Sequence, residues 1–288
     1  MAACDYRNPV MTPTIFAAIL LAALLHALWN ALAKRQAEGR VSVLLVSLCS
    51  GLFAAPFLPL VGLPVPAEYP WLALSILLHC GYCLFLGRAY RLGEFGQIYP
   101  LARGSAPLVT LLLGALLLGE VPGVLAVAGA LVLVSGVLLM AWRGGIKLAS
   151  GALSAVLITA LFTAAYTLSD GAGARSAGEP VRYTLWLFSL TALMMPLLMR
   201  WQSRTAWRAL DLAAWRTGAL GGALSLLAYG IVIWAMTQAP IGLVAALRES
   251  SVLFAVLLSW CWLGEKLGRV RLCAALVILC GILLIRLA

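Results

Sequence analysis

Residues 103–120 read RGSAPLVTLLLGALLLGE, and residues 248–265 read RESSVLFAVLLSWCWLGE. Each stretch opens on an arginine, carries a serine two places later and runs through an apolar middle to a closing Gly-Glu. About 18–20 such residues at ~1.5 Å each cover the ~30 Å hydrocarbon core of a bilayer, so each stretch reads as a membrane-crossing helix. An arginine inside such a helix cannot face lipid cheaply. It must turn to the protein interior, to a partner or to a wet cavity.

The rest of the chain agrees with that solvent. Of 288 residues, 64% are hydrophobic and 10% charged, with a mean hydropathy of +1.03, against roughly 45–50% apolar in an ordinary soluble domain. Apolar runs between turn and charge signals predict ten spans, near 14–34, 41–60, 70–90, 97–118, 122–142, 150–170, 183–200, 215–236, 242–263 and 268–286. The lengths and the Leu/Ala richness predict an all-α integral membrane protein and exclude a barrel, whose strands need only about ten alternating residues. The segment before Thr14, with Asp5, Arg7, Pro9 and Pro13, leads into a full-length span without an A-x-A cleavage signal and does not read as a cleaved signal peptide.

Net charge is +10, but the basic residues fall in small groups between apolar runs, which argues against a nucleic-acid partner and for cytoplasmic loops. The loops after spans 1, 3, 5, 7 and 9 hold 14 Lys and Arg, among them Lys34, Arg88, Arg143, Arg200 and Arg271; the other side holds Arg7, Arg175, Arg182 and Arg286. The positive-inside rule then puts both termini outside an inner (plasma) membrane. The seven cysteines are odd in number and sit mostly in apolar runs, so no disulfide framework is read. Cys80 and Cys83 form a C-x-x-C pair without a second pair or histidines at zinc spacing, and neither a metal nor a cofactor is implied.

The two opening stretches lie 145 positions apart, and the same offset pairs Gly119-Glu120 with Gly264-Glu265 and Gly136 with Gly281. That is the mark of an internal duplication, residues 1–145 and 146–288. Five spans per half force the second copy to enter the membrane from the opposite face. An inverted repeat with its site near the midplane is an alternating-access architecture.

With these motifs the chain resembles the drug/metabolite transporter superfamily, and within it the ten-span proteins built from two EamA-type five-helix domains. The resemblance rests on the two Gly-Glu turns, each followed by a helix with a late glycine, Gly136 or Gly281. The stretch His26-Ala27-Leu28-Trp29-Asn30, followed by Lys34, is similar to a subgroup associated with phosphonate utilisation. Membership implies a carrier of small metabolites, a class that spans amino acids, sugars, nucleotide sugars, phosphorylated metabolites and drugs. Many relatives are described with cytoplasmic termini, opposite to the charge count here.

The polar residues inside the spans are the site candidates. Arg103 and Arg248, each about six residues into its helix, reach toward the midplane from opposite faces and suit a carboxylate or phosphate; snorkelling or an internal salt bridge is the alternative. Glu249 is an intramembrane acid that can carry a coupling proton or hold a structural partner. Adjacent helical residues point ~100° apart, so Arg248 and Glu249 are not expected to face the same point. His26, Asn30 and Lys34 form a polar stripe on span 1 beside Trp29, with Asn30 and Trp29 as substrate contacts or interhelical packing. His79 and Tyr82 on span 3, with Tyr90 farther along, Tyr166 on span 6, and Tyr229 and Trp234 on span 8 are aromatic candidates, or packing. Pro100 and Pro107 bracket Arg103 and mark a hinge candidate. Gly218 and Gly222 read as close helix packing, and Glu120 and Glu265 as charges at the start of the helix that follows each.

No H-E-x-x-H, G-x-S-x-G or P-loop occurs, which argues against an intramembrane enzyme and against a self-contained ATP-driven pump. The sequence thus predicts a secondary transporter of a small polar metabolite, an organic anion or amino acid, acting as a monomer in the lipid bilayer. A passive channel is the rival.

Overall fold

The computed structural model describes residues 11–34, 39–92, 95–141, 151–202, 211–263 and 268–288. The Gly264-Glu265 turn lies outside this set, as do the side chains of Lys34, Tyr90 and Pro100 and most of the basic residues between 200 and 210. Within it the chain is helical, with no strand among the described residues. The helices are α1 (Pro13–Lys34), α2 (Gly39–Ala54), α3 (Leu58–Val61), α4 (Tyr69–Leu92), α5 (Phe95–Leu118), α6 (Val124–Ala141), α7 (Ala152–Ala177), α8 (Pro180–Gln202), α9 (Leu212–Met236), α10 (Ile241–Arg248), α11 (Ser251–Leu263) and α12 (Arg269–Leu287).

Starts follow local chemistry. Thr12 Oγ1 accepts from Ile15 N–H at 3.3 Å ahead of Pro13, the first residue of α1, and Asp211 caps α9 by accepting from Ala214 N–H at 2.7 Å, each satisfying an otherwise free helix donor. Two of the expected spans are interrupted. Residues 39–61 pass from α2 through a single 3-10 turn at Ala55–Phe57, with Pro56 in its first turn, into α3. Residues 241–263 break between α10 and α11. Conversely α7 continues to Ala177, seven residues beyond the expected end at 170.

Among the described residues eight segments are long and apolar enough to cross a membrane: 13–32, 44–61, 69–86, 101–118, 152–177, 212–236, 241–258 and 269–287; Val124–Met140 is a shorter apolar helix. Leucines such as Leu116, Leu197 and Leu283 point outward while Asp170, Glu249 and Glu68 are buried. This inside-out distribution is what lipid as a solvent selects. The chain is a multi-pass membrane protein.

Packing is densest where side chains are smallest. α6 lies along α12 so closely that a Cβ at Gly136 would meet Ile278 N at 2.9 Å, while one at Gly281 would collide with the Leu133 backbone. α9 lies on α2 the same way. A Cβ at Gly218 would strike the Leu45 side chain, and one at Gly222 would come within 2.8 Å of Ser50 N. Ser50 Oγ also donates to Gly222 O at 3.1 Å, so Gly218 and Gly222 pack helices as their spacing indicates. α4 lies along α7, and α5 touches α7, α6 and α10. The main core joins Ile19 of α1, Leu133 of α6, Met236 of α9, Leu247 of α10 and Ile278 of α12, which leaves the polar residues of α4, α5, α7, α9 and α10 gathered around one centre.

Candidate functional site

The centre is built on the break in the ninth expected span. After Arg248 the α-helical pattern gives way to tighter bonds, Glu249 N–H to Ala246 O and Ser250 N–H to Leu247 O, both 3.0 Å. The tightening turns Glu249 toward α5. There Arg103 meets it in a fork, with Nε donating to Oε2 at 3.1 Å and Nη2 to Oε1 at 2.9 Å. Side-chain exposure is 13% for Arg103 and 1% for Glu249, so the pair is largely out of water and its two parallel charge-assisted bonds are strong. Arg248 sits on the other side of the same carboxylate, Nε at 3.8 Å from Oε1. The expectation that these neighbours cannot face one point is corrected here, because the long Arg248 side chain reaches the same carboxylate although the two residues leave the backbone at different angles.

Arg248 is buried, yet its Nε has no hydrogen-bond partner, and neither does Ser250 Oγ or His26 Nε2. The Arg248 guanidinium lies 5.9 Å from the centre of the Tyr229 ring, a cation–π contact that offsets part of its burial. A buried donor without an acceptor costs roughly 1–3 kcal/mol, more when charged. Such donors are poised for a ligand oxygen.

Aromatic side chains form the wall. His79 stacks on Tyr166 with ring centres 4.0 Å apart, and Tyr82 meets Tyr166 edge-on at 5.7 Å. Tyr82, Leu86, Ala102, Arg103, Thr163, Tyr166 and Glu249 line a small, narrow cleft. One turn beyond Tyr166 the carboxylate of Asp170 is fully buried. Tyr229 donates its hydroxyl to Asp170 Oδ2 at 2.5 Å and Tyr183 to Oδ1 at 3.3 Å. Ser75 Oγ contacts His79 Nδ1 at 3.2 Å. Asp170 is absent from the sequence-based candidates because span 6 was closed at residue 170, where an acid reads as a span end. The signal that finds it is the continued apolar and small-residue pattern through Gly171, Gly173 and Ala174.

Arg103, Arg248, Glu249, His79, Tyr82, Tyr166 and Tyr229 therefore come together. Trp29 and Asn30 take a different part. The Trp29 indole donates to His26 Nδ1 at 3.2 Å and packs with Val46 and Leu224, while the Asn30 amide donates to His26 O on its own helix at 2.7 Å. They orient His26, whose other ring nitrogen is the unpartnered one and whose ring feels both arginines electrostatically. α5 is unbroken from Phe95 to Leu118, through both Pro100 and Pro107. The discontinuity near the site lies instead at Glu249 and Ser250.

A second buried pair stands apart. Arg175 donates from Nη1 to Glu120 Oε1 at 2.6 Å, from Nε to Met236 O at 2.7 Å and from Nη2 to Ala239 O at 2.9 Å. Glu120 Oε2 accepts from Ile241 N–H at 2.8 Å. Glu120 thus serves the first residue of α10, a correction to its expected place at the start of the following helix, α6; an anion at a helix N-terminus is favoured in either case. Arg182 and Glu68 form a further ion pair at 3.1 Å.

A bundle of membrane-crossing helices around a buried, partly unsatisfied polar centre defines the class, a multi-pass membrane transporter of small molecules. Residues 149–287 match the model of the EamA-like transporter family, a match that supports the likeness to the drug/metabolite transporter superfamily. A solved structure titled only "Crystal structure of protein" superposes with a TM-score of 0.75 at 21% identity, over 94% of this chain and 98% of that one. At that identity the likeness shows the fold. No curated protein matches.

Proposed function

We propose that the chain is a secondary transporter that moves a small polar metabolite, an organic anion or amino acid, by alternating access. It has ten membrane-crossing segments in two inverted five-helix halves, residues 1–145 and 146–288, with α6 and α8 crossing beside the eight most apolar segments. Support for the duplication comes from reciprocal contacts. Gly136 of α6 faces Ile278 of α12, and Gly281 of α12 faces Leu133 of α6; the 145-residue offset exchanges one contact for the other. The packing of α4 on α7 has its counterpart in α9 on α1, and that of α5 on α7 in α11 and α10 on α1. α5 against α10 pairs equivalent elements across such an axis, as an in-plane pseudo-two-fold requires.

One observation carries the functional reading. Arginines at equivalent positions of the two halves share a single carboxylate, and one of them is buried with an N–H left over. A cargo carboxylate or phosphoryl group placed at Arg248 would use that donor and balance the second positive charge. The protein acts as a monomer in the inner membrane with its Lys/Arg-rich loops in the cytoplasm.

The test is a thermal-shift screen of detergent-purified protein against organic acids, phosphates, phosphonates, amino acids and sugars. A ligand at about 100 Kd stabilises by about 2.7 kcal/mol. An anion-selective shift that disappears in Arg248→Lys is the expected result. Shifts confined to neutral or aromatic compounds would assign the arginines to the scaffold and the recognition to Tyr82, Tyr166 and Tyr229. Uptake into proteoliposomes that never saturates would make the protein a channel.

A further inference from the structure

Glu249, the acid the sequence offers for ion coupling, is engaged on both oxygens by Arg103 and flanked by Arg248. Its oxygens are thus committed to an ion pair that joins α5 to the break after α10. Asp170 is the contrasting case. Its carboxyl group is 0% exposed, no Lys, Arg or His ion pair reaches it among the described residues, and the groups on it are hydroxyls, from Tyr229 of α9 and Tyr183 of α8. From α4 the facing groups are Ser75 and His79. Toward α5 and the end of α10 stand Arg103, Arg248 and Glu249, with Arg248 over the Tyr229 ring. A carboxylate buried without a direct ion pair is costly, and neutralising it by one proton removes most of that cost.

We propose that Asp170 is a proton-binding site of the transport cycle, holding a proton in the buried arrangement described above and exchanging it with water when one face of the protein opens. The inference rests on the transporter reading and extends it to the coupling ion. The proton arrives from hydronium, breaking its O–H bond as the O–H bond at Asp170 forms, and on release the Asp170 O–H bond breaks as hydronium re-forms. Ser75 of α4 also faces the carboxyl group. Coupling to cargo runs through one side chain. Tyr229 donates its hydroxyl to Asp170 and presents its ring to Arg248. A cargo anion that draws Arg248 away disturbs the Tyr229 ring and with it the hydrogen bonds that decide whether Asp170 keeps its proton.

The chain has only three aspartates, Asp5, Asp170 and Asp211, so protein made with carbon-13-labelled aspartate reports a nearly single-site infrared signal without any mutation. A label-shifted carboxylic-acid carbonyl band at neutral pH is expected. It should persist in Asp5→Asn with Asp211→Asn, which leaves Asp170 as the sole label, and vanish in Asp170→Asn. A wild-type spectrum with only ionised-carboxylate bands at pH 7 overturns the proposal. In proteoliposomes loaded with a compound found in the stability screen, an imposed pH gradient should drive accumulation. Asp170→Asn should lose accumulation at least tenfold while still exchanging labelled for unlabelled compound. Accumulation that follows a sodium gradient, or that survives intact in Asp170→Asn, also overturns it. A protein that exchanges a compound but lacks the acid band sinks this inference alone, whereas one that moves no compound in any variant sinks the transporter reading.

Discussion

Two buried arginine–glutamate pairs, Arg175 with Glu120 and Arg103 with Glu249, use the same two side chains and are finished differently. Around Arg175 each guanidinium nitrogen has an acceptor, two of them backbone carbonyls at the α9–α10 corner, and the second oxygen of Glu120 takes the N–H of Ile241. Around Glu249 there is a surplus. A second arginine shares the carboxylate at longer range with an N–H to spare, and Ser250 and His26 nearby are also unsatisfied. A saturated pair joins helices; an unsaturated one keeps capacity for something else. Stability and recognition are therefore expected to separate between the two places.

The largest effect should come from breaking the saturated pair. Arg175→Ala strands a buried carboxylate and two carbonyls, and a loss of about 3–5 kcal/mol is expected, visible as a lower melting temperature in detergent. Arg103→Ala should cost less, about 2–3 kcal/mol, because Arg248 remains within 4 Å of Glu249; ligand-induced stabilisation should vanish with it. Arg248→Met sharpens the comparison most. It removes a buried charge whose Nε is unsatisfied and leaves the Arg103–Glu249 fork intact, so stability should change by less than about 1 kcal/mol or rise, while anion binding falls more than tenfold. Were Arg248→Met as destabilising as Arg175→Ala, the two pairs would be doing the same job. The smallest effect belongs to Ser250→Ala, within about 0.5 kcal/mol, since its hydroxyl has no bond to lose.

Hydropathy made the helical membrane fold legible because a span must be apolar for its full length whatever it packs against. The arginines were legible for the complementary reason, that a charge in such a run needs an explanation. Partner choice was not. Whether Glu249 would meet Arg248 or Arg103 depended on a break in the helix that Arg248-Glu249-Ser250-Ser251 does not announce, with neither glycine nor proline in it. Asp170 escaped because the end of a span is where lipid stops penalising charge, and only the burial of α7 through Ala174 shows that the span had not ended. Glu120 was correctly suited to a helix start, but the helix it serves lies 121 residues away, a distance at which local pattern carries no information.

The fork between Arg103 and Glu249 spans 146 positions of sequence, and this has a consequence for biogenesis. A chain made at about 5–20 residues per second synthesises the carboxylate roughly 7–30 s after the guanidinium. During that interval α5 is integrated with a positive charge whose final counter-ion does not yet exist. The nascent first half must therefore hold Arg103 in water, in the insertion machinery or against lipid headgroups, and α5 can take its final depth only once the break after α10 has been made and docked. Assembly of the bundle is thus timed by the order of the chain, with the late-arriving carboxylate of Glu249 meeting a helix inserted long before it.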